Sequence, residues 1–148
     1  MIRVPSQEIA AHTGETPGRA HKMLGVSLCN SAMEVFFVYV NSAYWQNSRV
    51  DFKDRTHPLF VGSCGTYRLL TRPVLPSHRP RGRLDFQLLY IASGKAQFYF
   101  NGAEKIVTAG HMVFYRPREE QKYRYYGADQ TEVYWVHFTG NDVTNILR

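Results

Sequence analysis

Hydrophobic and polar residues alternate along most of the chain in the way that short β-strands require. The first strongly apolar run, residues 33–40, is β-branched and aromatic and predicts a strand, with a buried helix as the alternative. Further strand-like runs follow at regular spacing, separated by the turn signals Ser93-Gly94, Asn101-Gly102 and Ala109-Gly110. These runs are residues 59–61, 66–70, 86–92, 95–100, 104–108, 111–115, 121–126 and 131–138. Many short strands without βαβ alternation predict a sandwich or barrel and exclude a doubly wound nucleotide-binding fold.

Three segments of the chain lack this alternating strand pattern. Residues 1–30 are polar and broken by Pro and Gly, which predicts a mobile or irregular leader, and residues 31–140 are assigned to the barrel. Residues 72–83 form a proline-rich stretch that predicts a loop. Residues 141–148 resemble the start of a helix capped by Asn141 or Asp142. We therefore expect a chain truncated at the beginning of a helix.

Composition narrows the functional classes. The formal net charge is +6, and its densest basic stretch, around Arg72, Arg79, Arg81 and Arg83, favours a solvated loop over a nucleic-acid-binding stripe. The two cysteines lack CxxC spacing, which favours reduced thiols in the cytoplasm over a disulfide scaffold. No signal peptide is recognisable, and the apolar runs are too short to cross a bilayer, so we expect no contact with a membrane.

Four blocks of sequence, in order, resemble the sensor domain of AraC-type transcription regulators. Residues 83–95 (RLDFQLLYIASGK) are similar to the first barrel hairpin of that family, and residues 134–140 (YWVHFTG) are similar to its last strand. Between them lie residues 109–117 (AGHMVFYRP) and 121–123 (QKY), which match two further family blocks. The resemblance spans roughly residues 59–145 and is most specific in the final block.

The resemblance implies a mainly all-β fold, a cupin-like jelly-roll barrel, or double-stranded β-helix, followed by the start of a dimerisation helix at residues 141–148. It also implies a small-molecule effector, a sugar or related compound, that binds inside the barrel and controls transcription. The complete regulator would be a homodimer that contacts DNA through a C-terminal helix-turn-helix domain, and no such segment is recognisable in this chain.

Candidate ligand-binding residues come from the resemblance and from strand alternation. In arabinose-binding members of the family, the effector contacts an Arg before a Pro, a Tyr of the third block and a Trp of the last strand, and these match Arg72, Tyr123 and Trp135. A His that lies two residues before the Trp in those members is replaced by Val133, which argues against arabinose itself. Alternation along the last strand puts His137 on the face of Trp135. On the hairpin at residues 95–108, Gln97 and Tyr99 share one face and residues 98 and 100 share the other, so one of the two faces should line the cavity. Gln97 and Tyr99 are the polar candidates for ligand binding there.

The sequence offers little for catalysis. The six histidines never approach the HxH spacing that cupin metal sites use, so we expect no metal and no cofactor. The sequence Gly62-Ser63-Cys64-Gly65 favours a tight bend over a nucleophile elbow. We therefore expect a protein without catalytic residues. The alternatives are a cupin-fold enzyme, such as an isomerase or a dioxygenase, and an interaction domain that binds no ligand.

Overall fold

The chain folds into two antiparallel β-sheets that face each other. The computed structural model describes residues 21–29, 34–45 and 51–148, with side chains for 37–45 and 51–148. Within these ranges the strands are β1 (His21–Cys29), β2 (Glu34–Tyr44), β3 (Phe60–Leu69), β4 (Val74–Arg79), β5 (Phe86–Ser93), β6 (Lys95–Phe100), β7 (Ala103–Thr108), β8 (Met112–Tyr115), β9 (Gln121–Tyr126) and β10 (Glu132–Thr139). A short helix, α1 (Val143–Ile146), follows β10.

The order of the strands is that of a jelly roll. One sheet has the order β1-β2-β3-β10-β5-β8, and the other has the order β4-β9-β6-β7. The chain from β3 to β10 crosses repeatedly between the two sheets, and within each sheet all neighbouring strands are antiparallel. Eight strands arranged in this way form the jelly roll that cupin domains share. The predicted fold class is therefore confirmed, with the β1–β2 hairpin as an extension of the first sheet.

The core lies between the sheets and is strongly aromatic. Alternate residues of each strand face inward, so Val133 and Trp135 on β10 meet Phe98 on β6 and Tyr123 on β9 across the interior. All four side chains are buried. The strands β5, β9 and β10 thus each contribute one face to the core and one to the outer surface, as their alternating sequences predict.

Three segments predicted to be irregular form strands instead. The tight bend predicted at residues 62–65 is a continuous part of β3. Residues 21–29 of the predicted leader form β1, which pairs with β2 from His21↔Ser42 to Cys29↔Glu34. The predicted proline-rich loop contains β4, which pairs with β9 along its whole length. Pro76 is tolerated there because β4 is the edge strand of its sheet, where a missing backbone donor faces no neighbour. The remainder of the leader, residues 1–20 and 30, lies outside the described residues.

The C-terminal helix begins where the sequence predicts it. No side-chain hydrogen bond caps its first turn, although Asp142 occupies the N-cap position. The Asp142 carboxylate instead accepts a hydrogen bond from Asn145 Nδ2 at 2.6 Å. Among the described residues, no helix is long and apolar enough to cross a membrane.

Gly65 is required where β3 passes beneath Trp135. A Cβ at this position would lie 2.5 Å from the backbone oxygen of Asn41 and 2.6 Å from Trp135 Cζ2. Because the backbone oxygen is fixed in the β2–β3 pairing, rotation of a side chain cannot relieve the clash. We expect Gly65→Ala to lower the free energy of unfolding by about 1–3 kcal/mol, measured by urea denaturation.

The neighbouring Cys64 provides the control for Gly65→Ala. Its thiol is exposed and lies on the opposite face of β3, so Cys64→Ala is expected to change stability by less than about 0.5 kcal/mol. Equal urea midpoints for Gly65→Ala and the wild type would show that Trp135 does not pack against this glycine.

Candidate ligand-binding site

Polar side chains gather at one end of the barrel interior. On the six-stranded sheet, His137 of β10 lies between Ser63 of β3 and Gln87 of β5, and Gln87 in turn pairs with Tyr115 of β8. All four residues are buried. Because directly paired residues of antiparallel strands face the same side, the four side chains form a row across the inner face of this sheet.

The four-stranded sheet adds polar residues from the opposite side. Gln121 begins β9 and is 0% exposed, and its inward-facing neighbour along the strand is Tyr123. Across the strand pair, Gln121 is aligned with Arg79, the last residue of β4. The same end of the barrel therefore receives polar side chains from both sheets.

Many of these buried polar atoms have no hydrogen-bond partner in the protein. They are His137 Nε2, Gln87 Oε1, Tyr115 Oη, Trp135 Nε1 and both amide atoms of Gln121. An unpaired buried polar group costs about 1–3 kcal/mol, and native proteins leave few of them. Such a concentration in one place marks a site that water or a polar ligand completes.

His137 is held as a neutral imidazole. Its Nδ1 lies 2.9 Å from Ser63 Oγ. Burial, and secondly the positive charges of Arg83 and Arg79, lower its pKa from 6.5 to about 3. A histidine with this pKa carries no charge near neutral pH, so its unpaired Nε2 can exchange one neutral hydrogen bond with a ligand.

Aromatic rings form one wall of the site. The ring of Trp135 is stacked with that of Tyr67 at a centroid separation of 6.1 Å and lies 4.6 Å from the ring of His137. Burial raises the pKa of Tyr67 to about 12, so its phenol stays neutral. Flat aromatic faces beside neutral hydrogen-bonding groups suit a ligand that has both C–H surfaces and polar edges.

A buried ion pair fixes the loop that closes this end of the barrel. Arg83 and Asp85 are 6% and 4% exposed, and Arg83 Nη2 donates to Asp85 Oδ2 at 2.9 Å while Nε donates to the other carboxylate oxygen. The pairing is bidentate, which holds both side chains in one orientation. The Arg83 charge is thus largely compensated, and it acts as structure rather than as an open anion receptor.

The structure brings three of the predicted ligand-binding residues into the interior. Trp135 and His137 lie at the polar cluster described above. Tyr123 is 8% exposed and packs between the rings of Phe98, Tyr115 and Tyr125, deeper in the aromatic core. A ligand inside the barrel would contact these three side chains, which also pack in the barrel interior.

Arg72 lies elsewhere. It precedes β4, at the end of that strand opposite to Arg79, and its Nε donates to the backbone oxygen of Val74 at 3.1 Å. Its side chain is therefore engaged locally at the other end of the barrel. The structure does not bring Arg72 together with Trp135 and His137, because β4 separates Arg72 from the polar end.

The structure places Gln97 and Tyr99 on the outer face of β6. Their neighbours Ala96 and Phe98 pair with the buried Tyr125 and Tyr123, so Gln97 and Tyr99 face outward. The carbonyl of Gln97 accepts a hydrogen bond from Tyr126, and its amide donates to Glu104. Tyr99 accepts a hydrogen bond from Arg124 at 2.6 Å and lies beneath the ammonium of Lys122. Alternation alone left both faces open, and the interior takes the face that carries Phe98 and Phe100, which have no polar atoms to satisfy.

Sequence reasoning missed five polar residues of this region: Ser63, Arg83, Gln87, Tyr115 and Gln121. A signal was present for two of them. Gln87 alternates with Leu89 and Ile91 along β5, and Gln121 alternates with Tyr123 and Tyr125 along β9. A glutamine at an inward-facing position of an otherwise apolar strand is an informative exception to the pattern.

A concavity lies on the outside of the six-stranded sheet. This outer groove encloses about 390 Å³ and is bordered by outward-facing residues of β2, β3, β5 and β10, among them Ala43, Cys64, Leu88 and Val136. Its exposed surface is almost entirely carbon. Because a hydroxyl-rich ligand would find few partners there, the polar end of the barrel interior is the better candidate for such a ligand.

The described residues do not gather into a metal site. Among the residues that the structure describes, no three His, Cys, Asp or Glu side chains come close enough together to hold a metal ion. The described part of the chain thus offers neutral hydrogen-bonding groups and aromatic faces, and its acidic residues lie outside the cluster.

The sequence matches one family model. Residues 63–148 match the family model of the AraC-like ligand binding domain. No protein of curated function matches the sequence.

Several solved structures are similar at low sequence identity. EutQ of Clostridium difficile is 13% identical, with 70% of this chain and 69% of that chain covered and a TM-score of 0.44. A predicted oxalate decarboxylase of Thermotoga maritima is 14% identical, with coverage of 68% and 80% and a TM-score of 0.45. An HTH_3 family transcriptional regulator of Vibrio cholerae is 10% identical, with coverage of 69% and 50% and a TM-score of 0.44.

Proposed function

We propose that this chain, which belongs to the AraC-like ligand-binding domain family, binds a sugar or a sugar-like metabolite inside the barrel. The family match covers residues 63–148 and supports a ligand-sensing regulatory role. The observation that carries this proposal is the cluster of unpaired buried polar atoms on His137, Gln87, Tyr115 and Gln121 beside the ring of Trp135. Hydroxyl groups both donate and accept hydrogen bonds, so they match such a mixed set of neutral partners.

In this proposal the effector acts by favouring one arrangement of a homodimeric regulator. An effector shifts an equilibrium only as far as its affinities for the two arrangements differ. In this proposal the sensor resides in the cytoplasm, and a helix-turn-helix domain of the complete regulator contacts DNA.

We assign no catalysis to the pair formed by Ser63 and His137. With a pKa of about 3, His137 is too weak a base to take a proton from a serine hydroxyl at neutral pH. The competing hypothesis is a cupin-fold enzyme, either metal-dependent or metal-free. Equimolar bound metal, measured by elemental analysis of the purified protein, would support the metal-dependent form.

A thermal-shift panel tests the proposed function. The panel contains neutral sugars, alditols, aldonates and sugar phosphates, each added to the purified chain. A ligand that binds the native state at 100 times its Kd stabilises that state by about 2.7 kcal/mol, so we expect at least one member of the panel to raise the Tm by several degrees.

Gln121→Met connects such a rise to the interior site. Methionine nearly preserves the volume and removes two unpaired polar atoms, so the ligand-free variant is expected to be as stable as the wild type or more stable. The ligand-dependent rise in Tm is expected to disappear. The control is Gln97→Met on the outer face, which removes the hydrogen bonds to Tyr126 and Glu104 and so lowers the starting Tm, but should retain the ligand-dependent rise. An unchanged rise in Gln121→Met would place the ligand elsewhere.

A further inference from the structure

Two loops form a rim around the polar end of the barrel. They are residues 79–85 between β4 and β5 and residues 116–120 between β8 and β9. The backbone N–H of Arg118 donates to the backbone oxygen of Arg83 at 2.7 Å, which joins the two loops. Gly82 has a φ of +61°, and a Cβ there would lie 2.3 Å from the backbone oxygen of Glu119. The loops are thus packed closely enough to act as one unit, the arginine rim.

The arginine rim carries more positive charge than it neutralises. It contains five arginines and three carboxylates. Each carboxylate is already engaged: Asp85 pairs with Arg83, Glu119 accepts a hydrogen bond from the backbone of Arg116 at 2.8 Å, and Glu120 lies 2.9 Å from His78. Within the described ranges, no acidic side chain forms an ion pair with Arg79 or Arg81. The rim therefore retains positive charge available for an anion.

Arg79 is the member of the rim that faces the interior. It is aligned with the fully buried Gln121, and paired residues of antiparallel strands face the same side. The Arg79 side chain is nevertheless exposed, so it stands at the boundary between the polar cluster and solvent. Its charge reaches into the barrel, since it helps to lower the pKa of His137 and partly opposes the rise in the pKa of Tyr67 that burial causes.

On the premise that the barrel binds an effector as proposed above, we propose that this effector is an anionic polyol whose carboxylate or phosphate binds Arg79 at the rim. Its hydroxyl-bearing part then lies deeper, against the unpaired atoms of Gln121 and His137. A guanidinium pairs with two oxygens of a carboxylate or phosphate at once, which supplies both attraction and orientation. The interior behind the rim is neutral and would not compensate a second charge on the ligand. The ligand therefore carries its anionic group only at the end that meets the rim.

Matched ligands test this inference. D-Glucose, D-gluconate and D-glucose 6-phosphate share most of their hydroxyls and differ in the presence and type of the anion. We expect binding by isothermal titration calorimetry to favour one or both anionic members over glucose, and to weaken as the salt concentration rises. Gluconate against glucose 6-phosphate distinguishes a carboxylate from a phosphate.

Arg79→Gln identifies the residue. The loss of one charge-assisted contact is expected to weaken binding of the anionic ligand roughly 10- to 100-fold and to leave binding of glucose unchanged. The control, Arg81→Gln, removes an exposed charge from the same loop and is expected to change affinity less than about threefold. If glucose binds as tightly as its anionic partners and Arg79→Gln has no effect, the inference is wrong and the proposed function stands. If no member of the wider panel binds, the inference and the sugar-like effector both fall.

Discussion

Replacement of Arg83 by Met is expected to lower the free energy of unfolding by about 3–5 kcal/mol. The substitution leaves the Asp85 carboxylate, only 4% exposed, without its bidentate partner. A buried charge without compensation is far more costly than a missing surface ion pair. The effect is measured by urea denaturation followed by circular dichroism, which reports the unfolding of the whole barrel.

The double variant Arg83→Met with Asp85→Leu separates charge from packing. Because it removes both charges together, it should recover most of the stability that the single variant loses. Arg81→Met in the same loop serves as the surface control and should change stability by less than about 0.5 kcal/mol. A single Arg83→Met variant as stable as the wild type would show that Asp85 is exposed to solvent in the folded protein.

Acidification is expected to destabilise the fold through His137. In the unfolded chain this histidine has a pKa near 6.5, and in the folded protein burial lowers it to about 3. Between these two pH values the unfolded state binds more protons than the folded state. His137 therefore costs no stability above about pH 6.5, and the free energy of unfolding falls as the pH drops from there towards 3. From about pH 7 to pH 5 the loss attributable to His137 is about 2 kcal/mol.

The variant His137→Gln isolates this contribution. Glutamine does not titrate, so the decline in stability between about pH 7 and pH 5 should become flatter by the amount that His137 supplies. Equal slopes for the wild type and His137→Gln would mean that the imidazole is accessible to protons in the folded protein.

The fold was predictable because its signals are local. Strand alternation and glycine turns identified the strands from β5 to β10, and the inward face of β10 followed directly from the spacing of Trp135 and His137. The sequence did not predict the strands β1 and β4. β1 is stabilised by pairing along its whole length with β2, and β4 contains a proline that an edge position tolerates. Both depend on which strand lies next to them, which local sequence does not state.

The site was predictable only in part, because strand alternation does not choose between the two faces of a strand. Gln97 and Tyr99 lie on the outer face, where cross-strand partners such as Arg124 satisfy them. Arg83 and Gln121 lie inside, because long-range pairing and the opposite sheet bring them there. Inside, the charge of Arg83 is compensated by Asp85, two residues further along the chain.

The most direct test of the account is the ¹⁵N–¹H resonance of the Trp135 indole in the purified domain. The chain has two tryptophans, and Trp45, which is 45% exposed, provides an internal reference outside the barrel. Trp135 Nε1 is a buried donor without an acceptor, so a ligand hydroxyl that reaches it must shift its proton resonance. With a saturating amount of the panel compound that raises the Tm most, we expect the Trp135 signal to move downfield while the Trp45 signal stays in place. A Trp135 signal that does not move, or a shift confined to Trp45, would contradict binding inside the barrel.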